Sequence, residues 1–429
     1  MSKSSITSNK YSSRPRMVVM GEVYNGNSSI LTQPTEKRGV RRKLLYQALN
    51  PKALRLYKFT QEAEASRLCY ALIQNPAGWE KQLERFTSSV VFCVAYGHRI
   101  DSLEAQTFPL IAKVASALAP WKREVQAMGL EEGQANLALL EMVKQEVATA
   151  KAKGKPDTVS DDLCKLLLDM REKESVPLSG THFSYVPASL FGAGSDTTAS
   201  TLCSASLGLV THPGVLKVTQ VELDSVVGTE RTRTFADEAN LPYIRVLCKE
   251  TLRWRPVAAL GGTPHASTEA DIYEGWHIPS DTIVLGNNWA INFNEEYYPK
   301  PRQFDKVRFL SDAERARLGI DKQPYVGSNI HPAKAGHSSF GLGRRICPGA
   351  DLAANSLFIA LAKLLWAYDI LPIEGRQYDI FAYTDGFNVR PKRSNALFNF
   401  KASSIRKYWR PSRRALWHGW RSSRQLGSR

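Results

Sequence analysis

Between Lys43 and Lys173 apolar residues recur at intervals of three and four, as in ALRLYKFTQEAEASRLCYALIQ (Ala53 to Gln74) and LEEGQANLALLEMVKQEVATAKAK (Leu130 to Lys153). That spacing lines one face of an α-helix, so this stretch is predicted to be helical. KAKGKPDTVS, Lys151 to Ser160, reads as a charged loop, and DDLCKLLLDMREKES after it as a helix that starts on an acidic cap. Val186 to Val210 is apolar but carries Asp196 and many Ser, Thr and Gly, which predicts a buried helix. From Pro256 to Phe309 prolines, glycines and short β-branched runs take over, and DIYEGWHIPSDTIVLG predicts a hairpin around Gly275. ADLAANSLFIALAKLLWAYDI then predicts a strongly apolar helix beginning just past Pro348 and Gly349. The expected fold class is mainly α with a small β region, and there are no internal repeats.

Composition narrows the function classes. A chain of 429 residues, 43% hydrophobic, can bury a large core in one big domain or two to three smaller ones. Its six cysteines (Cys69, Cys93, Cys164, Cys203, Cys248, Cys347) are widely spaced, which excludes a disulfide scaffold and favours a reducing compartment. The formal charge is +16, yet residues 401–429 hold nine Lys/Arg and no acid, so over half the excess lies in a basic tail. Such a tail suits an anionic membrane or nucleic acid, or is simply solvated without a fold; nucleic acid is not the expected partner. The first residues, MSKSSITSNKYSSRPR, contain no apolar run of signal or spanning length.

The chemistry concentrates in FGLGRRICPG, Phe340 to Gly349. Cys347 precedes the apolar helix, so helix N-terminal amides are expected to point at its sulfur and favour a thiolate. Zinc needs further Cys or His at short spacing, and His331 and His337 lack it. A lone thiolate fits haem iron, with Arg345 suited to a buried propionate and Gly343 and Gly349 allowing a flat macrocycle close to the backbone. Upstream, AGSDTT (Ala193 to Thr198) lies within the predicted buried helix. There Gly194 and the threonine hydroxyls are expected to interrupt the helix ladder and open a groove, with Asp196 and Thr197 handing protons inward. KETLRWRP (Lys249 to Pro256) places Glu250 and Arg253 on one helix face.

The spacing Phe340-x-x-Gly343-x-Arg345-x-Cys347-x-Gly349, with Ala353 following, resembles the cysteine-ligand loop of the cytochrome P-450 superfamily of haem-thiolate monooxygenases. AGSDTT resembles that family's oxygen-activation segment, which implies Asp196 as the acid and Thr197 as the alcohol. Glu250 and Arg253 resemble its Glu-x-x-Arg pair, which a later arginine joins as a structural brace; Arg308 in PRQFDKVRFL has the expected context. His265 falls where the family commonly places a basic propionate partner. Arg42 matches the arginine of an early Trp-x-x-x-Arg pair, with Arg38 standing where the tryptophan is expected.

The similarity runs from about Ser12 to Arg390 and is greatest to microsomal fungal members. It implies the cytochrome P-450 fold in one catalytic domain over residues 1–400, followed by the tail, and a place in secondary metabolism. It implies haem b, O₂, a small hydrophobic substrate and a flavoprotein NADPH reductase, since no nucleotide- or flavin-binding fingerprint is evident here. Arg344 and its basic neighbours would suit an acidic partner surface. The resemblance further implies the endoplasmic reticulum membrane surface, although the family's anchor and first sheet strands are not matched and the chain is expected to be truncated. Past Arg393 the family has a final β segment, where this chain is expected to run into its basic tail instead. Two other readings stay open: a haem-thiolate isomerase or dehydratase, against which the Asp196–Thr197 pair argues, and a non-catalytic product unable to hold haem.

Overall fold

The computed structural model describes residues 9–24, 35–103, 121–153, 162–173, 176–178, 180–228, 231–320, 331, 333, 335–392 and 396–401. The expected basic tail lies outside these residues from 402 onward, as does most of the expected charged loop, from 154 to 160.

The helical stretch resolves into α1 (Thr35–Leu49), α2 (Pro51–Gln74), α3 (Trp79–Tyr96), α4 (Trp121–Ala152) and α5 (Leu163–Lys173). Their ends follow local chemistry. Asn50 caps α2, its side-chain oxygen accepting the N–H groups of Lys52 and Ala53 at 3.0 Å each, with Pro51 where no donor is needed. Gly97 ends α3 in the left-handed region, φ 74°. Asp162 accepts the Lys165 N–H at 3.1 Å, the acidic cap expected for α5.

Next come α6 (Gly180–Thr211), α7 (Pro213–Val227) and α8 (Pro242–Trp254). α6 starts a turn and a half before the expected Val186 and continues straight through Pro187. Short strands β1 (His265–Ala266), β2 (Asp271–Tyr273), β3 (Trp276–Ile278) and β4 (Ile283–Val284) follow, then α9 (Asn288–Asn292) and α10 (Asp312–Arg317). β2 and β3 form the expected antiparallel hairpin, turning through Glu274 (φ 47°) and Gly275 (φ 83°), the double positive φ of a type I′ turn. β1 pairs with β4, and Ser13 bridges Ala266 on its other side.

The last elements among the described residues are α11 (Ala350–Ala367), β5 (Tyr368–Pro372) and β6 (Ala396–Phe400). β5 and β6 pair antiparallel, Tyr368 opposite Phe400 and Pro372 opposite Ala396. A final β segment is therefore present, correcting the expectation that the chain runs directly into its basic tail. In β6 Ala396 and Phe398 point inward and Leu397 outward, the two-residue period of a half-buried strand.

Two apolar clusters make the core. One surrounds α11, whose Leu357, Phe358, Ile359, Leu361, Leu364, Leu365 and Trp366 are all buried with parts of α2, α3, α6, α7, α8 and the β5–β6 ribbon. Each such side chain contributes about 1.5–3 kcal/mol of gross burial, which makes α11 a fixed wall. The other joins α1, the end of α3, α4, α5, the first half of α6 and Leu352 of α11. α6 threads both, contributing Phe183 to Phe191 to one and Leu202 to Val210 to the other. Among the described residues α11 alone is long and apolar enough to cross a membrane, and 72% of it is buried inside the protein.

Candidate active site

The loop before α11 is shaped by its glycines. Gly341 and Gly343 sit at φ 75° and 62°, where a side chain would be strained, and a short 3-10 turn covers Gly343–Arg345. The Cys347 N–H donates to Phe340 O at 2.8 Å and that of Ile346 to Gly343 O at 3.2 Å, folding the loop back on itself. Phe340 packs against the core around α11, its ring 5.6 Å from that of buried His337. Four of the six cysteines are buried packing residues; Cys347 is the one that is exposed.

The Cys347 thiol is nonetheless held above its ordinary value, because protein surrounds it closely enough to desolvate the charged form. Cys347 is thus exposed as a residue while its thiol is packed among protein atoms. The Gly349 N–H and the Arg42 charge pull the other way, and Asp351 adds to the upward push. The expected thiolate-favouring amide is thus present at Gly349, but burial outweighs it. A methyl at Gly349 would stand 3.9 Å from the sulfur, so its absence keeps space open beside Sγ. A lone soft sulfur with Arg42 beside it, and with no metal-binding group of His, Cys, Asp or Glu among the described residues, fits an axial thiolate of haem better than a protein-built metal site.

The three expected propionate partners are held near this loop and the N-terminal segment. Arg42 Nη1 donates to Ile346 O at 3.1 Å, joining α1 to the residue before the cysteine. Arg345 Nε donates to Ser12 O at 2.7 Å, and His265 Nδ1 donates to Tyr11 O at 2.7 Å. Arg38 lies one turn before Arg42 on α1. Sequence reasoning missed Arg41, which is buried, with Nη2 3.1 Å from His182 Nδ1, and ties α1 to α6; burial pushes its guanidinium down to about 10.

α6 presents Gly192 to Thr197 between its two buried halves, so Asp196 and Thr197 sit half-buried at a gap in the core. The helix is unbroken there, contrary to the expected interruption. Three carbonyls in this stretch accept side-chain hydroxyls instead: Ala193 O from Thr197 Oγ1 at 2.8 Å, Ser195 O from Thr87 Oγ1 of α3 at 2.5 Å, and Thr197 O from Thr201 Oγ1 at 2.9 Å. Gly194 serves packing, since a Cβ there would lie 2.5 Å from Val91 Cγ1. Asp196 Oδ2 accepts from Asn388 Nδ2 at 3.0 Å. Neither Thr87 nor Asn388 belongs to a motif, and nothing local in the sequence marks them.

The brace is assembled in full. Glu250, Arg253 and Arg308 are all buried. Arg253 Nε and Nη2 each donate to one Glu250 oxygen at 2.7 Å, the bidentate fork, and Arg308 Nε approaches Oε1 at 3.4 Å. Arg253 also donates to Asn292 O, Pro301 O and Gln303 O, and the Asp305 N–H donates to Glu250 at 2.9 Å. The trio thereby pins the segment leading to the cysteine loop onto α8. α6 packs against both α1 and α11, so the acid-bearing helix, Arg42 and the cysteine loop share one framework.

Comparison with known proteins agrees with this geometry. The family model described as Cytochrome P-450 matches residues 3–398. Cytochrome P-450 monooxygenase 253 of Postia placenta is 34% identical over 413 residues, spanning 90% of this chain and 73% of the relative. Cytochrome P-450 monooxygenase polD of Polytolypa hystricis is 31% identical over 411 residues, 90% of this chain and 76% of the relative. A zebra fish cytochrome P-450 solved with abiraterone superposes with a TM-score of 0.73 at 23% identity, covering 92% of this chain and 89% of that one, a likeness of fold.

Proposed function

The chain belongs to the cytochrome P-450 family of haem monooxygenases, and on that premise we propose that Cys347 is the axial ligand of a haem b and that Asp196 and Thr197 manage its protons. The observation that carries this reading is the glycine-shaped loop that folds Cys347 back onto Phe340 at the start of α11, with Arg42 bonded to the adjoining Ile346 carbonyl. Haem, when bound, supplies the activation of O₂ for insertion of one oxygen atom into substrate. Arg42, Arg345 and His265 are the residues that would hold the propionates. Phe340, Gly343 and Gly349 shape the loop that carries the sulfur.

Asp196 is fixed through Oδ2, which leaves Oδ1 to take and release a proton. Thr197 donates its own hydrogen to Ala193 O, so its lone pairs accept from water and it returns a proton by rotating away from that carbonyl. The substrate is a small hydrophobic organic molecule and the electron donor a separate NADPH-dependent flavoprotein reductase. One catalytic domain extends through residue 400, followed by the basic tail, and the endoplasmic reticulum membrane surface is its location. The polar Asp196–Thr197 pair favours monooxygenation over an isomerase or dehydratase, which needs no proton delivery to O₂.

The test is the carbon monoxide difference spectrum of the dithionite-reduced, haem-supplemented protein. A thiolate-type Soret band in the parent and its loss in Cys347→Ser are expected. A soluble, folded parent without that band, or a Cys347→Ser variant that keeps it, overturns the assignment.

A further inference from the structure

The segment linking β5 to β6 crosses over α6 and is fastened at several points. Arg255, buried with its guanidinium 3.7 Å from the Trp254 ring centre, donates from Nε and Nη2 to Ile380 O at 3.1 and 2.9 Å. Tyr383 OH bonds Ser204 Oγ of α6 at 3.1 Å, the Val389 N–H donates to Val257 O at 2.9 Å, and Arg390 Nη1 donates to Glu84 Oε1 of α3 at 2.5 Å. Backbone bonds from Thr384 N to Arg390 O and Lys392 N to Ala382 O stiffen the segment as a hairpin. Within the loop closed by these two backbone bonds lies Asn388, whose Nδ2 stands 3.0 Å from Asp196 Oδ2.

Building on the proton role proposed for Asp196, we propose that Asn388 is a positioning residue for that acid. Its amide holds Oδ2, fixes the carboxylate in one rotamer and presents Oδ1 for proton exchange. An amide suits this task because it cannot itself ionise, and its donor strengthens against a charged acceptor. Arg390, held by Glu84, places a fixed positive charge in the neighbourhood of Asp196 and raises the electrostatic cost of moving the carboxylate away. Among the described residues, Asp196 acts on Arg390 of the hairpin and on Cys203 of α6, Glu84 of α3 acts on both of these as well, and Glu80 of α3 acts on Cys203.

A residue that merely closes the hairpin would change stability without changing proton delivery. The test uses the haem-loaded full chain with a purified NADPH–flavoprotein reductase and no added substrate. Reduction of O₂ to hydrogen peroxide takes two electrons and two protons, and reduction to two waters takes four of each, so the split between them reads proton supply. Asn388→Leu, which keeps the branching and heavy-atom count and removes the donor, is expected to lower the rate of water formation about tenfold and raise the solvent isotope effect. Asn388→Gln, which retains an amide, recovers part of both. In an Asp196→Asn background, Asn388→Leu adds nothing.

The same two-residue cycle measured by urea unfolding reports the contact without turnover and is expected to be non-additive. Where Asn388→Leu fails to fold, Asn388→Asp, which sets an acid against the acid, serves in its place. An unchanged peroxide-to-water split in the Asn388 variants, with Asp196→Asn shifting it, overturns the positioning role while the acid role stands. If Asp196→Asn itself leaves the split unchanged, the acid role fails; additive unfolding energies sink the contact.

Discussion

Removing the Glu250 side chain is the most severe single change the framework predicts. In Glu250→Ala, Arg253 loses both short bonds of its fork, and Arg308 loses its contact with the Glu250 charge, while both guanidinium groups stay buried. Arg253 keeps its three carbonyl acceptors and Arg308 keeps Pro299 O and Lys300 O, so these hydrogen bonds remain while the Glu250 charge is gone. Breaking a buried pair by deleting one partner costs about 3–5 kcal/mol. Against a typical total of about 5–15 kcal/mol, that brings the protein close to unfolding. Arg308→Ala leaves the bidentate pair neutral and intact and removes one long 3.4 Å contact and two carbonyl bonds, so its cost is about 1–3 kcal/mol. Urea unfolding followed by far-ultraviolet circular dichroism, at equal slope, gives both values. A Glu250→Ala cost no greater than that of Arg308→Ala would refute the view that the carboxylate, shared by two buried cations, is the keystone.

Burial drives His337 down to about 3, so the folded state stays neutral where the unfolded chain takes a proton near 6.5. Stability from this residue is complete above about pH 6.5 and falls as pH drops below it, by about 2 kcal/mol between pH 7 and 5. His337→Gln is expected to flatten that slope in urea unfolding, and an unchanged slope would discount the residue. Gly194→Ala is expected to destabilise by about 1–3 kcal/mol, despite better helix propensity, because its methyl meets Val91 Cγ1 at 2.5 Å. Combining it with Val91→Ala should restore the melting temperature, and a failure to do so points to a role other than packing. Arg42→Ala should move the Cys347 thiol, already raised by burial, further upward, since the Arg42 charge pulls it down. The pH dependence of iodoacetamide alkylation in haem-free protein measures this, and no upward movement is the contrary result.

Chemistry held within one short segment was legible in the sequence. The cysteine loop and the Glu250–Arg253 fork depend on spacings of a few residues, where the chain itself fixes the geometry. The helix of Val186 to Val210, the hairpin at Gly275 and α11 were legible for the same reason. β6 was overlooked because ALFNF carries a two-residue period too short to stand out beside a basic tail, and its partner β5 lies before a long intervening hairpin. Gly194 was read as a flaw in a ladder, although its small size is spent on α3. That error has a physical basis: a glycine in a helix looks the same in sequence whether it relieves a backbone or admits a neighbour. Asn388 and Asp196 are 192 residues apart, and only the tertiary fold makes them partners.

The polar window of α6 depends on α3 more than on its own sequence. On one side α3 presses Val91 against Gly194 and bonds Ser195 O through Thr87. On the other, the hairpin that brings Asn388 to Asp196 is itself moored to α3 through Glu84 and Arg390. Thr87 and Glu84 are three apart and share a helix face, so a single element sets both the height of α6 and the reach of the hairpin. A shift of α3 would move the two walls together and preserve the Asp196–Asn388 distance, whereas cutting the Arg390–Glu84 tie frees one wall alone. Glu84→Gln should therefore disturb proton delivery more than it disturbs stability. Its ion pair is partly exposed and contributes little to folding, while the position it sets is where Asp196 is held.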